Sequence, residues 1–167
     1  MRLRAWTASA VTAPAYAADG QRGACLAAID AAETELGRAE EQVPGCYSIS
    51  YYEGIHISFC GECHLKLRDA ERAVDYTQRS LATLDQTYTR HVALTTVDLA
   101  RAYAQSGEID EAARLLGDAG EIAAGNSSAR LITALRQGRA DVQPWADTAA
   151  VRALDDRLAS WGVAVQG

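Results

Sequence analysis

Among 167 residues the sequence holds one phenylalanine, one methionine and one lysine, Lys66. Arginine therefore carries nearly all the positive charge, and 16 basic residues against 22 acidic ones leave a net charge of -6. That balance excludes the clustered positive surface that nucleic-acid phosphates require. Apolar runs are short as well. None approaches the ~18 residues a helix needs to cross a bilayer, so neither nucleic acid nor a membrane is an expected partner. Helix breakers are few: the three prolines are Pro14, Pro44 and Pro144.

Alanine and leucine supply most of the apolar content, which suits closely packed helices. The opening segment, "MRLRAWTASAVTAPAYAADG", imitates a secretory signal with two arginines and an A-Y-A ending. Its middle holds Thr7, Ser9 and Thr12 and no leucine or isoleucine, unlike a continuously apolar export segment. The expected location is the cytoplasm.

The stretch "DLARAYAQSGEIDEAARLLGDAGEIAA", Asp98 to Ala124, reads as two short amphipathic helices joined at Gly107. Gly107 stands where a helix end needs a left-handed residue. Asp110 and Glu111 place negative charge in the first turn of the second helix, where the macrodipole favours it. Tyr103, Ala112 and Ala119 fall where the two helices must touch, at the spacing of a tetratricopeptide unit. A second copy runs from about Ser50 to Leu84, turning at Arg68 and Asp69, with Ala73 matching Ala112 and Ser80 matching Ala119. Gly61 marks a close approach in its first helix. A weaker copy opens the chain, with Tyr16, Gly20, Cys25 and Ala32 in the matching positions and Pro14 as the conflict, since it predicts a first helix that starts late or bends. "EEQVPGCYS", Glu40 to Ser48, reads as the linker between these two copies. After Gly125, residues Asn126 to Ser128 cap a further helix, and a last one spans about Thr148 to Trp161.

The segments "GECHLKLRDAERAVDYTQRSL", "DLARAYAQSGEIDEAARLLGDAG", "SARLITALRQGR" and "PWADTAAVRALDDRL", in that order, resemble the C-terminal tetratricopeptide region of actinobacterial helix-turn-helix regulators. The resemblance implies an all-α repeat solenoid of about three helix pairs (units near 3-39, 50-85 and 90-124) with capping helices over 127-161, read as one domain, 1-167. It also implies a regulatory, non-catalytic role in binding a peptide, a protein or a small signal molecule. Those regulators carry an N-terminal DNA-binding domain, and nothing like it precedes the repeats in this sequence, so the resemblance brings no expectation of DNA contact.

Two further readings concern the second copy. Cys60-Gly-Glu-Cys63-His64 matches the C-x-x-C-H pattern of covalent haem attachment. His56, Cys60, Cys63 and His64 share one helical face and are donors that suit zinc, although one straight helix rarely surrounds a metal, and only folding could bring His91 or Cys25 to help. Against both stands a packing role, with cysteines as small apolar residues of a reduced interior, and this is the favoured expectation, with no cofactor. Gly117, Gly120 and Gly125 lack the lysine of a phosphate loop, and Asp155 with Asp156 reads as solvated surface.

In stacked tetratricopeptide units the first helix of each pair lines a concave groove. Projected from Tyr103 and Gly107, that side carries Asp98, Arg101 and Gln105 in the best copy and Ile55, Phe59, Glu62 and Lys66 in the second. Mixed charge around one aromatic suits a peptide. Ser58 and Val97 stand where a two-carboxylate clamp would want amide or basic groups. Trp6 and Val11 give the first helix an apolar side that self-association as a homodimer would cover.

Overall fold

The computed structural model describes residues 3–42, 47–125 and 128–162, with side chains described at 9–38, 53–125 and 128–162. Among the described residues the chain is all-α and forms eight α-helices. They are α1 (Leu3–Ala18), α2 (Arg22–Gln42), α3 (Tyr47–Lys66), α4 (Ala70–Thr83), α5 (Thr89–Ser106), α6 (Ile109–Ala124), α7 (Ala129–Asp141) and α8 (Ala149–Ser160). A single 3-10 turn, Gln143–Trp145, precedes α8. The helices gather into two compact units, Met1–Asp85 and Gln86–Gly167. The linker expected at Glu40 to Ser48 lies partly outside the described residues.

Three helix hairpins, α1–α2, α3–α4 and α5–α6, close by the same device. Each first helix ends in a left-handed residue: Gly20 at φ 71°, Arg68 at φ 60° and Gly107 at φ 86°. The next amide reaches back to the carbonyl of the helix's last turn: Gln21 to Tyr16 at 2.8 Å, Asp69 to His64 at 2.9 Å and Glu108 to Tyr103 at 3.0 Å. A shorter loop of the same kind joins Gly20 to Ala17, Arg68 to Leu65 and Gly107 to Ala104. This is a Schellman turn, which satisfies carbonyls that a helix end otherwise leaves bare. Glycine enters the left-handed region without steric cost, whereas Arg68 holds it with a Cβ in place.

Small residues then recur at fixed distances from the turn. Seven residues before it stand Ala13, Gly61 and Ala100; five after it, Cys25, Ala73 and Ala112; twelve after it, Ala32, Ser80 and Ala119. All nine are buried, so the two helices approach along a strip with no large side chain to separate them. At Gly61 the approach is tight: a Cβ built there would meet Thr77 Cγ2 at 2.6 Å and the Thr77 backbone nitrogen at 3.3 Å. Thr77 cannot swing aside freely, because its hydroxyl donates to the Ala73 carbonyl at 2.6 Å. Buried Ser80 donates to the Gly54 carbonyl at 3.0 Å and so fills an alanine position without an orphaned hydroxyl. Pro14 is buried inside α1, and the helix passes through it to Ala18 rather than starting late.

In the first unit α3 packs on α1 as well as on α4. In the second, α7 lies against α5 and α8 against α6. Gly138 permits the first of these contacts, with Leu116 and Val97 where a side chain would stand. Gly117 and Gly120 permit the second, lying under Arg157 and under Leu158 and Trp161. Ser128 caps α7 by accepting from the Leu131 amide at 3.4 Å, and Thr148 does the same for α8 from Val151. Arg139 grips Asp155 with two nitrogens, the longer contact at 2.8 Å, and ties α7 to α8.

These contacts predict opposite effects at two positions of the second hairpin. Gly61→Ala drives a methyl group into Thr77 and lowers stability by about 1–3 kcal/mol. Arg68→Gly relieves the left-handed backbone and raises stability by up to about 1 kcal/mol. Urea midpoints of the two variants against the parent check both signs.

Candidate functional site

The groove residues expected from sequence are divided between the two units. In the first unit Ile55 is a core side chain, only 8 % exposed, and so does not line an open surface. Phe59 and Glu62 are half-buried and Lys66 is exposed. Lys66 pairs with Glu62 at 2.7 Å and donates to the Pro14 carbonyl of α1 at 3.4 Å. This side of α3 therefore leans on α1, because hairpin packs on hairpin through its first helix. In the second unit Arg101 Nε bonds Asp141 of α7 at 2.6 Å. Its aliphatic stem borders Gly138 while Val97 is fully buried against the same helix. The flank of α5 that carries Arg101 is thus packed rather than open. Asp98 and Gln105 are half-buried on α5.

The Cys/His stripe of α3 faces inward. His56, Cys60, Cys63 and His64 are each at most 6 % exposed. Cys60 and Cys63 join Ala13, Ala17, Cys25 and Ile29 in one core cluster. Cys25 of α2, remote in sequence, shares that buried cluster with Cys63. Burial pushes the Cys60 thiol up to about 12, and it pushes Cys63 in the same direction with the neighbouring Cys25 adding to it. Both are therefore inert thiols in the metal-free protein. His64 stacks on Tyr76 with ring centroids 5.3 Å apart, and its Nδ1 lies 3.3 Å from Asp69. Burial lowers its pKa, opposed by Asp69. Among the described residues no three His, Cys, Asp or Glu side chains are grouped so as to hold a metal ion.

A cavity of about 190 Å³ opens between α2, α3 and α4. Glu33 and Leu36 come from α2, Glu53, His56 and Ile57 from α3, and Arg79 from α4. Both carboxylates and Arg79 are exposed, Leu36 is buried and Ile57 half-buried. His56 is 6 % exposed, and its Nδ1 is buried without a hydrogen-bond partner. Its Nε2 lies 3.7 Å from Cys60 Sγ. Burial holds the imidazole below the usual histidine range, with the Glu33 carboxylate pulling the other way. Arg79 is partly engaged: it reaches Asp75 at 3.3 Å and lies over the Tyr76 ring at 5.2 Å.

No family model matches this chain, nor does any curated protein or solved structure. The site therefore has to be judged from its own chemistry.

Sequence reasoning placed His56 among donors but had no signal for Glu33, Glu53 or Arg79, whose helical surroundings look like ordinary solvated surface. Their convergence depends on how α2, α3 and α4 meet. Two measurements check the buried stripe. Cys25, Cys60 and Cys63 should resist a thiol reagent in native buffer and react once urea is added, as mapped by mass spectrometry. The three histidines His56, His64 and His91 all bind protons less tightly when buried. Their contribution to stability is complete above about pH 6.5 and is lost as pH falls below it, because the unfolded chain then takes up more protons. Urea midpoints should decline from pH 7 to pH 5, and less steeply in His56→Asn/His64→Asn.

Proposed function

We propose that this chain is a non-catalytic binding module of tetratricopeptide-like hairpins. It recognises a peptide, a protein or a small signal molecule, and acts in the cytoplasm as an accessory or derivative of a bacterial regulator. The observation that carries the reading is the threefold recurrence of one hairpin, with the same left-handed turn and the same buried small residues at the same offsets. Such repetition builds surface from stacked units, and repeat architectures use that surface for recognition. The inward-facing thiols on α3, packed with Ala13, Ala17 and Ile29, favour a packing role for the C-x-x-C-H segment over haem or zinc chemistry.

Within this reading the first helix of a hairpin carries a recognition face in each unit through residues that keep some exposure: Phe59, Glu62 and Lys66 on α3 in the first, and Asp98 and Gln105 on α5 in the second. Phe59 is the aromatic anchor. The exposed Val11 of α1, 58 % accessible, offers a side for self-association.

Peptides selected by display against the folded chain test the proposal. Bound peptide is expected to shift the amide resonances of α3 and α5 around these positions, and Phe59→Ala is expected to weaken binding by about tenfold, the effect of losing an aromatic anchor. Peptides that bind without perturbing either helix would overturn the assignment. So would a Soret band or one equivalent of zinc in the purified protein.

A further inference from the structure

The turn between α3 and α4 carries an arrangement that hairpin closure does not require. Asp69 stands at the N-cap of α4, where a side chain ordinarily accepts from the first amides of the helix, yet its carboxylate makes no such bond. It reaches sideways instead. One oxygen, Asp69 Oδ2, lies 3.3 Å from His64 Nδ1 and 3.6 Å from a guanidinium nitrogen of Arg22. Arg22 opens α2 just after Gly20, the left-handed residue of the first turn, so this pair ties the first turn to the second.

The two neighbours of that oxygen are held differently. The Arg22 side chain is 50 % exposed, and its contact with Asp69 is of the surface kind that contributes little and opens readily. His64 is 3 % exposed and stacked on Tyr76 of α4, so it cannot withdraw to water. Its Nδ1 is buried close to Oδ2 but out of hydrogen-bond alignment. The charges that weigh on the ring are Asp69 and Arg72 at the start of α4 and Arg22 from α2. Cys25 of α2 and Ala13 and Ala17 of α1 complete the neighbouring core around Cys63. With the ring neutral, one carboxylate stands among two guanidiniums. A proton on the ring adds a third cation and gives Nδ1 a hydrogen to donate. A buried imidazolium and a carboxylate form a charge-assisted bond, shorter and stronger than the exposed contact to Arg22.

We propose that His64 and Asp69 form a proton-operated catch between the first two turns. With the ring neutral, Asp69 holds Arg22 and with it the start of α2. With the ring protonated, Asp69 turns inward to Nδ1 and Arg22 is released into water. Acid therefore loosens the start of α2 while the ring keeps its place against Tyr76. Burial holds the ring below the usual histidine range, so the catch is closed at neutral pH. It lies at the end of α3 that carries Lys66, which donates to the Pro14 carbonyl of α1, so the first hairpin is held to α3 by one contact that responds to acid and one that does not.

Nitrogen-15 NMR of the full chain, followed from about pH 7.5 down to about pH 5 across the histidine range, tests the proposal. The His64 ring and the amides of Gly20, Arg22 and Gly23 are expected to titrate with one midpoint. Arg22→Gln, at an exposed position, removes a competing cation and is expected to raise the His64 midpoint. Asp69→Asn removes the acceptor and is expected to lower it, and in this variant the three amides no longer follow the ring. His91, in the other unit, is expected to titrate alike in all three proteins and serves as the internal control. The proposal is overturned if the ring titrates while the three amides stay still, if they still follow it in Asp69→Asn, or if both variants move the His64 midpoint in the same direction. A ring that stays neutral until the first unit unfolds overturns it as well. None of these outcomes bears on the groove reading, which rests on Phe59 and on bound peptide.

Discussion

The contact on which each hairpin depends is the close approach of two helices along a strip of small residues. Ala13, Gly61 and Ala100 in the first helices, and Cys25, Ala73 and Ala112 in the second, remove the bulk that would hold the helices apart. Close approach has a geometric requirement of its own, because the chain must reverse within about two residues and still satisfy the carbonyls at the helix end. The left-handed residue at each turn meets that requirement. Strip and turn work together: a bulky side chain in the strip would undo the turn, and a different turn would shift the strip out of register.

That constraint explains which features were readable from sequence. Gly107 with Asp110, Glu111, Ala112 and Ala119 announced both the turn and the packing strip of the third hairpin. The same offsets carried over to Gly20 and its neighbours. The second hairpin was harder, because an arginine occupies the left-handed position, yet Ala73 and Ser80 kept the register. Pro14 removes one donor yet lies within α1, which starts before it and continues to Ala18, so the proline did not delay the helix. The limits of single-sequence reasoning show most clearly in the recognition surface. Ile55 and Arg101 were projected outward from a repeat register, whereas Ile55 is a core side chain and Arg101 bonds Asp141 of α7. Such contacts depend on neighbours far away in the chain and leave no local trace.

The same logic accounts for the Cys/His stripe. The pattern Cys60-Gly-Glu-Cys63-His64 invites a chemical reading because its donors lie on one face of one helix. In the folded unit that face is the inward one. The helix needs small side chains where it meets α2 and α4, and cysteine and glycine meet that need. His64 is accommodated by stacking on Tyr76 and by the nearby Asp69. His56 is the member whose surroundings differ, since it borders a cavity between α2, α3 and α4.

Hydrogen exchange at the three turn amides tests most directly the claim that one turn closes all three hairpins. Gln21, Asp69 and Glu108 each donate back to a helix carbonyl, at Tyr16, His64 and Tyr103. The account predicts that all three amides exchange as slowly as those within the flanking helices, including Asp69, which follows the strained Arg68. Exchange at unprotected-chain rates at any one of them, with its flanking helices still protected, would contradict it.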